Sequence, residues 1–273
     1  MRRIAAPLAV NVALVAIAAL TLFPLAWMAA VSLMAPGEAS TYPPPLLPER
    51  ATLANYRELF AHAGMARYLF NSVLLSVSVT LLAVLFNVAA GYAFAKLEFH
   101  GRARLFRWML GALVIPGQVA MVPLFLLLKQ MGLVNSYGGV IVPAMASIFG
   151  IFLVRQYALS IPDDLLDAAR IDGASELRIF RVVVLPVLKP IIVTLAVFTL
   201  LGTWNDFMWP LIVLSDSHLY TLPVALASLS REHVADNELM MAGAVVTTVP
   251  VLLVFLLLQR YYVQGLMAGS VKA

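Results

Sequence analysis

The chain has 273 residues, of which 62% are apolar and only 12% charged, with a mean hydropathy of +0.94. A water-soluble domain carries roughly 25% charged residues, so there is too little polar surface to cover a soluble globule, and a bilayer protein is expected. The net charge of +4 sits in short loops between apolar runs, which excludes a nucleic-acid footprint and leaves a topology signal.

A transmembrane helix needs ~20 apolar residues to cross ~30 Å of hydrocarbon. Six stretches qualify, at approximately 10–31, 70–95, 106–128, 139–158, 185–213 and 240–262. The first follows Arg2 and Arg3 like a signal peptide, but it continues past Trp27 to Val31. That is longer than a signal's apolar region of roughly 7–15 residues, so a retained span is expected. Residues 35–67 open on turn chemistry, Pro36-Gly37 and Pro43-Pro44-Pro45, which favours extended backbone. Ile115-Pro116-Gly117-Gln118 interrupts the third span and predicts a kink or break. Arg155 shortens the apolar core of the fourth. The loop at 214–239 is acidic, with Asp216, Glu232, Asp236 and Glu238. With the N-terminus inside, 13 of the 18 Lys and Arg fall in inner segments and 5 in outer ones. The positive-inside rule then puts both termini in the cytoplasm.

The inner loop from about 155 to 189 holds ten of the 32 charged residues, five of each sign. Ser160 followed by Asp163 resembles a capping box, Pro162 suits a first helical turn, and Asp163 and Asp164 favour a helix N-terminus. The helix should stop near Asp172, because Gly173 can adopt the left-handed conformation. A second helix should run from about Ser175 towards Leu185-Pro186. Leu165, Ala168, Ala169 and Asp172 fall at i, i+3, i+4 and i+7, forming a stripe of mostly small side chains. Two readings stand: a docking element for a partner protein, or a solvated connector between spans.

Asp167-Ala168-Ala169, Gly173 and Leu185-Pro186 resemble the E-A-A, G and L-P motif of permease subunits in bacterial ABC importers. The stretch from Pro162 to Pro190, with Asp172-Gly173-Ala174 and Phe180, is similar to the maltose-type (MalG-like) branch for carbohydrate uptake. The likeness extends to Asn71-Ser72, Ile115 to Gln118, Trp204-Asn205-Asp206 and the tail from Gly265 to Ala273, covering about residues 67–273. One departure is Asp167 where the family has Glu, a carboxylate shortened by one methylene.

The resemblance implies an all-α, polytopic fold with six transmembrane helices in the bacterial cytoplasmic (inner) membrane. Residues 1–66 would be the first span and an extracytoplasmic loop, 67–262 a five-helix transport core, and 263–273 a short cytoplasmic tail. The loop at about 160–186 would be the coupling loop, placing Asp167, Ala168, Ala169, Asp172, Gly173, Leu185 and Pro186 at the joint with an ATP-binding subunit. The implied partners are two ATP-binding subunits, a second homologous permease and an extracytoplasmic solute-binding protein. A sugar or oligosaccharide is the implied cargo, and glycerol phosphate shares the branch.

None of the 15 glycines precedes a lysine, so the chain lacks the G-x-x-x-x-G-K-[ST] phosphate cradle. No catalysis is expected of it, and ATP and Mg would be bound by the partner ATPase. With no cysteine, and with His62, His100, His218 and His233 scattered, no metal site is expected either. An ion-coupled secondary transporter is the competing class, and it would rest on Asp206, the only carboxylate within an expected span.

Ser72, Ser76, Thr80 and Asn87 fall close to one stripe of the second span. They serve either helix packing or a translocation path. Gln118 can face a hydrophilic passage or satisfy backbone freed at the break. Trp204, Asn205 and Asp206 lie about 30 Å from the inner end of their span at 1.5 Å per residue. They read either as an interface anchor or as a polar contact near the outer gate.

Overall fold

The computed structural model describes residues 2–232 and 236–268, with side chains from Val10 to Ser230 and from Asp236 to Gln259. His233 and the tail beyond Ala268 lie outside the described residues, as do the side chains of Arg2, Arg3, Arg231, Glu232 and Arg260. All regular structure in the described residues is helical. Among the described residues, five helices are long and apolar enough to cross a membrane, six if one bent helix pair counts as a single span.

Two compact units form by chain contact: one holds the chain up to Leu69 with Leu222–Pro250, the other Phe70–Thr221 with the chain from Val251 onward. The first unit begins with α1 (Arg2–Val31). Its large apolar side chains from Val10 to Phe23 are more than half exposed, a surface suited to lipid or to a partner helix rather than to water. The segment that follows is irregular, as its prolines predict, and is fastened by carboxylates. Glu38 accepts hydrogen bonds from the backbone N–H groups of Ala35 (2.9 Å) and Glu49 (2.7 Å). Fully buried Glu238, in the first turn of α13, accepts one from Ala39 N–H at 2.6 Å. The short helix α2 (Ala54–Ala61) is tied back by Asn55, whose amide donates to the carbonyls of Ser32 (3.0 Å) and Met34 (2.9 Å).

Helix α3 (Met65–Lys96) carries the chain into the second unit. The third expected span is α4 (Arg102–Ala112) followed by α5 (Gly117–Gln130), bent by 106° across the Ile115-Pro116 break. The fourth divides into α6 (Tyr137–Ala144) and α7 (Ile148–Ala158), separated by irregular backbone at 145–147 that the sequence did not predict. After α8 (Asp163–Ile171) comes a continuous run of α9 (Glu176–Ile179), a π-turn at Phe180–Val184 and α10 (Leu185–Trp204).

Two expectations need correction here. The helix starting near Ser175 does not end at Leu185-Pro186; the π-turn widens the ring, with Leu185 N–H bonded to Phe180 O, and the helix continues through Pro186, which has no N–H to place. The fifth span does not run unbroken to residue 213: it stops at Trp204, and α11 (Met208–Val213) is a separate short helix. The remaining helices are α12 (Leu222–Glu232) and α13 (Asn237–Ala268).

The main core of the second unit gathers around one end of α3. Val88 and Tyr92 pack with Val154, Leu166, Ile179 and Leu188, each at most 4% exposed, from α7, α8, α9 and α10. Helix α8 is therefore part of the packed unit, not a free connector.

Candidate functional site

Helix α8 is built by the signals its sequence carries. Pro162 is extended (ψ 136°) immediately before the first turn, and Asp163 and Asp164 occupy that turn. The expected capping box is not formed. Ser160 Oγ donates instead to Tyr157 O at 2.7 Å, closing the preceding helix, and no side chain caps α8. At the other end Gly173 N–H bonds Arg170 O and Ala174 N–H bonds Ala169 O, both at 3.0 Å, with Gly173 at φ +81°. This pair of bonds is a Schellman stop, which needs a left-handed residue and favours glycine there.

The stripe of Leu165, Ala168, Ala169 and Asp172 is divided by packing. Leu166 is fully buried and Ala169 packs against the core. Leu165, Asp167, Ala168, Ile171, Asp172 and Gly173 are exposed, Ile171 at 86%. A Cβ at Gly173 would meet nothing within 4 Å. Helix α8 thus presents a surface of two branched apolar side chains, an alanine and a bare glycine, flanked by carboxylates.

Behind that surface, ion pairs fasten α8 at both ends. Arg170 donates through Nη1 to Asp167 Oδ1 and through Nε to Glu176 Oε1, each at 2.7 Å. The two carboxylates push the Arg170 pKa further above its ordinary value. At the start of α8, Lys96 Nζ donates to Ile161 O and to Asp163 Oδ1, both at 2.6 Å. Its hydrogen bond and charge hold the Asp163 carboxyl below the usual carboxylate range. Tyr92 packs on Phe180 with ring centroids 5.2 Å apart and reaches Glu176 Oε2 at 3.5 Å. Leu185 is half-buried and Pro186 exposed on the helix that follows.

The residues expected along a translocation path do not converge on one hydrogen-bond network. Asn87 is fully buried and bonds across to α7: its Oδ1 accepts from Ser147 N–H at 2.9 Å, and Ser147 Oγ accepts in turn from Gly150 N–H at 3.0 Å. Ser72, Ser76 and Thr80 are also buried, and the hydroxyls of Ser76 and Thr80 have no hydrogen-bond partner among the described residues. Gln118 is exposed in the first turn of α5. Trp204 is buried, Asn205 donates to Leu201 O at 2.8 Å, and Asp206 Oδ1 accepts from Trp209 N–H at 3.3 Å. The Asp206 carboxylate therefore caps α11. Trp209 Nε1 donates to Gly139 O at 3.1 Å.

Sequence reasoning passed over Lys96, Tyr92 and Arg170 as functional positions. Lys96 counted only as an inner positive charge, because its partners lie 65 and 67 residues away.

Over residues 87–267 the chain matches the family described as binding-protein-dependent transport system inner membrane component. It is 41% identical over 226 residues to the arabinooligosaccharides transport system permease protein AraQ of Halalkalibacterium halodurans, covering 82% of this chain and 81% of that one. It is 34% identical over 233 residues to the sn-glycerol-3-phosphate transport system permease protein UgpE of Pectobacterium atrosepticum, covering 82% and 83%. Among solved structures, a chain of a bacterial ABC transporter involved in the import of the acidic polysaccharide alginate shares the fold. The TM-score is 0.84 at 22% identity, over 96% of this chain and 98% of that chain.

Proposed function

The chain belongs to the family of binding-protein-dependent transport system inner membrane components, and from that premise we propose that it is one permease subunit of an ATP-driven sugar importer. In this reading it pairs with a second, similar permease, two ATP-binding subunits and an extracytoplasmic solute-binding protein. Both termini lie in the cytoplasm, supported by the 13-to-5 asymmetry of Lys and Arg. ATP and Mg bind the partner, consistent with the lack of any Gly-Lys step in this chain.

The observation that carries the coupling role is the exposed face of α8. A short helix packed into the core on one side, with Leu165, Ala168, Ile171 and bare Gly173 on the other, is a stiff knob for a cleft. Exposed Leu165 and Ile171 outside the membrane leave apolar area for a partner to cover. Asp167, Ala168, Asp172 and Gly173 would meet the ATP-binding subunit, while Ala169, Leu185 and Pro186 would hold the joint from behind. Closure of the ATP-binding subunits would then displace α8 and the helices packed on it.

The cargo reading favours a sugar or oligosaccharide, supported by the 41% identity to an arabinooligosaccharide permease. The second reading, glycerol phosphate, draws support from the 34% relative. A phosphate calls for cationic partners, whereas the buried polar stripe of α3 is made of hydroxyls and the amides of Asn71 and Asn87, and the cation at the end of that helix, Lys96, is already paired with Asp163. Neutral groups suit a polyol, and Asn87, Gln118, Trp204, Asn205 and Asp206 remain the proposed path. Ion coupling through Asp206 is not favoured, since its carboxylate caps a helix.

The test is reconstitution of the purified complex in liposomes with its binding protein inside or outside. ATP-dependent uptake of a labelled arabinooligosaccharide supports the sugar reading, uptake of glycerol phosphate alone replaces it with the second, and uptake without ATP overturns both.

A further inference from the structure

We propose that Lys96 is a positioning residue that clasps α8 to the end of α3, so that a displacement of α8 is passed to the helix bearing the buried polar stripe. The proposal deepens the importer reading and rests on it for the identity of what moves α8.

The geometry is specific. The Lys96 side chain is 5% exposed, whereas its partner Asp163 is 77% exposed. A buried ammonium is costly unless paired and hydrogen-bonded, and Lys96 is both, with two bonds of 2.6 Å. Those bonds fall on either side of Pro162, to the Ile161 carbonyl and the Asp163 carboxylate. Pro162 has no N–H of its own, so the entry to α8 cannot be fastened there by a backbone donor. Lys96 supplies the donor from another helix.

A second attachment lies one turn earlier on α3. Tyr92 and Lys96 are at i and i+4, hence on one face. Tyr92 packs on Phe180 and points its hydroxyl at Glu176, which Arg170 ties to α8. Helix α3 thus grips the α8–α9 elbow at its entry through Lys96 and beyond its stop through Tyr92. The same helix carries Ser72, Ser76, Thr80 and Asn87, all at most 8% exposed. A rigid helix joined to the elbow at two points follows it, and the polar stripe follows the helix.

The experiment compares Asp163→Ala, Asp163→Glu, Lys96→Met and the Lys96→Met/Asp163→Ala pair in the reconstituted complex. It reads retention of the ATP-binding subunit, ATP hydrolysis and solute moved per ATP. With the clasp open, the ATP-binding subunit stays bound and ATP is still hydrolysed, but solute moved per ATP falls about tenfold, the factor expected for loss of one hydrogen bond to a charged group. Asp163→Glu keeps the ratio, and the double variant is no worse than Lys96→Met alone, which already removes both bonds. An unchanged ratio in Asp163→Ala overturns the clasp, and since that side chain is exposed the variant folds even if Lys96→Met does not. Loss of the ATP-binding subunit from Asp163→Ala also overturns it, making the contact part of the docking surface. If the wild-type chain retains no ATP-binding subunit, the importer reading itself fails.

Discussion

Gly173 separates the backbone demand of the α8 stop from the demand of a surface seated against it. At φ +81° an L-residue with a Cβ is strained by about 1–2 kcal/mol. Asparagine is enriched in this region because its short side chain bonds locally. No atom lies within 4 Å of a Cβ built at this position, so alanine and leucine carry the same strain and neither clashes within the chain. A loss of 1–2 kcal/mol shifts the helix-end equilibrium by a factor of about 5–30, confined to the last turn of α8. Gly173→Asn, Gly173→Ala and Gly173→Leu should therefore reach the membrane in similar amounts. Retention of the ATP-binding subunit in a mild-detergent purification should be highest for alanine and fall for both leucine and asparagine, whose side chains have equal numbers of heavy atoms, although asparagine carries the smaller backbone strain, because only a partner can feel that bulk. Equal retention in the alanine and leucine variants would refute the contact at this glycine.

Three further outcomes follow from the packing behind α8. A methyl group at Gly91 would lie 2.6 Å from both Cβ and Cγ1 of Val154 and 3.1 Å from the backbone nitrogen of Arg155. Gly91→Ala should cost about 1–3 kcal/mol by overpacking, seen as a lower unfolding midpoint that Val154→Ala partly restores; an unchanged midpoint would count against this packing. Asn87→Ala removes the 2.9 Å acceptor of the Ser147 N–H, at about 0.5–1.5 kcal/mol, and a variant as stable as wild type would show that bond to be absent. Asp163 has its pKa lowered by Lys96, so the stability its ion pair contributes is full above the ordinary carboxylate value of about 4 and is lost as pH falls through the lowered one. The difference in unfolding midpoint between wild type and Asp163→Asn should be level from about pH 5 to 8 and shrink below about pH 4; a difference that grows on acidification would contradict the pairing.

The transmembrane skeleton is legible because apolar runs of bilayer length leave no other solvent for their side chains. The bend between α4 and α5 is legible from Pro116-Gly117, and the stop of α8 from Gly173, since each rests on the conformational limits of one residue type. The interruptions at 145–147 and after Trp204 are not. They arise where polar groups on distant segments, Asn87 for Ser147 and Asp206 for Trp209, satisfy backbone that has left the helix. The π-turn at Phe180–Val184 carries Pro186 inside a continuous helix, against the local signal. In the candidate site, the helical spacing groups Leu165, Ala168, Ala169 and Asp172, but the core decides which of them face out, and Ala169 goes inward beside Leu166. Lys96 shows the same limit: a lysine at the end of an apolar run reads as a topology charge until the fold brings Asp163 to it.

The central claim, that the exposed face of α8 seats on an ATP-binding subunit, is open to direct chemistry because the chain contains no cysteine. Ala168→Cys places a single thiol on that exposed face. In inverted membrane vesicles a short bifunctional thiol reagent should join this variant to an ATP-binding subunit carrying a surface cysteine, with a yield that changes when ATP is added. A thiol that reacts with a small maleimide from the cytoplasmic side, yet joins no ATP-binding subunit in an intact and transporting complex, would contradict it.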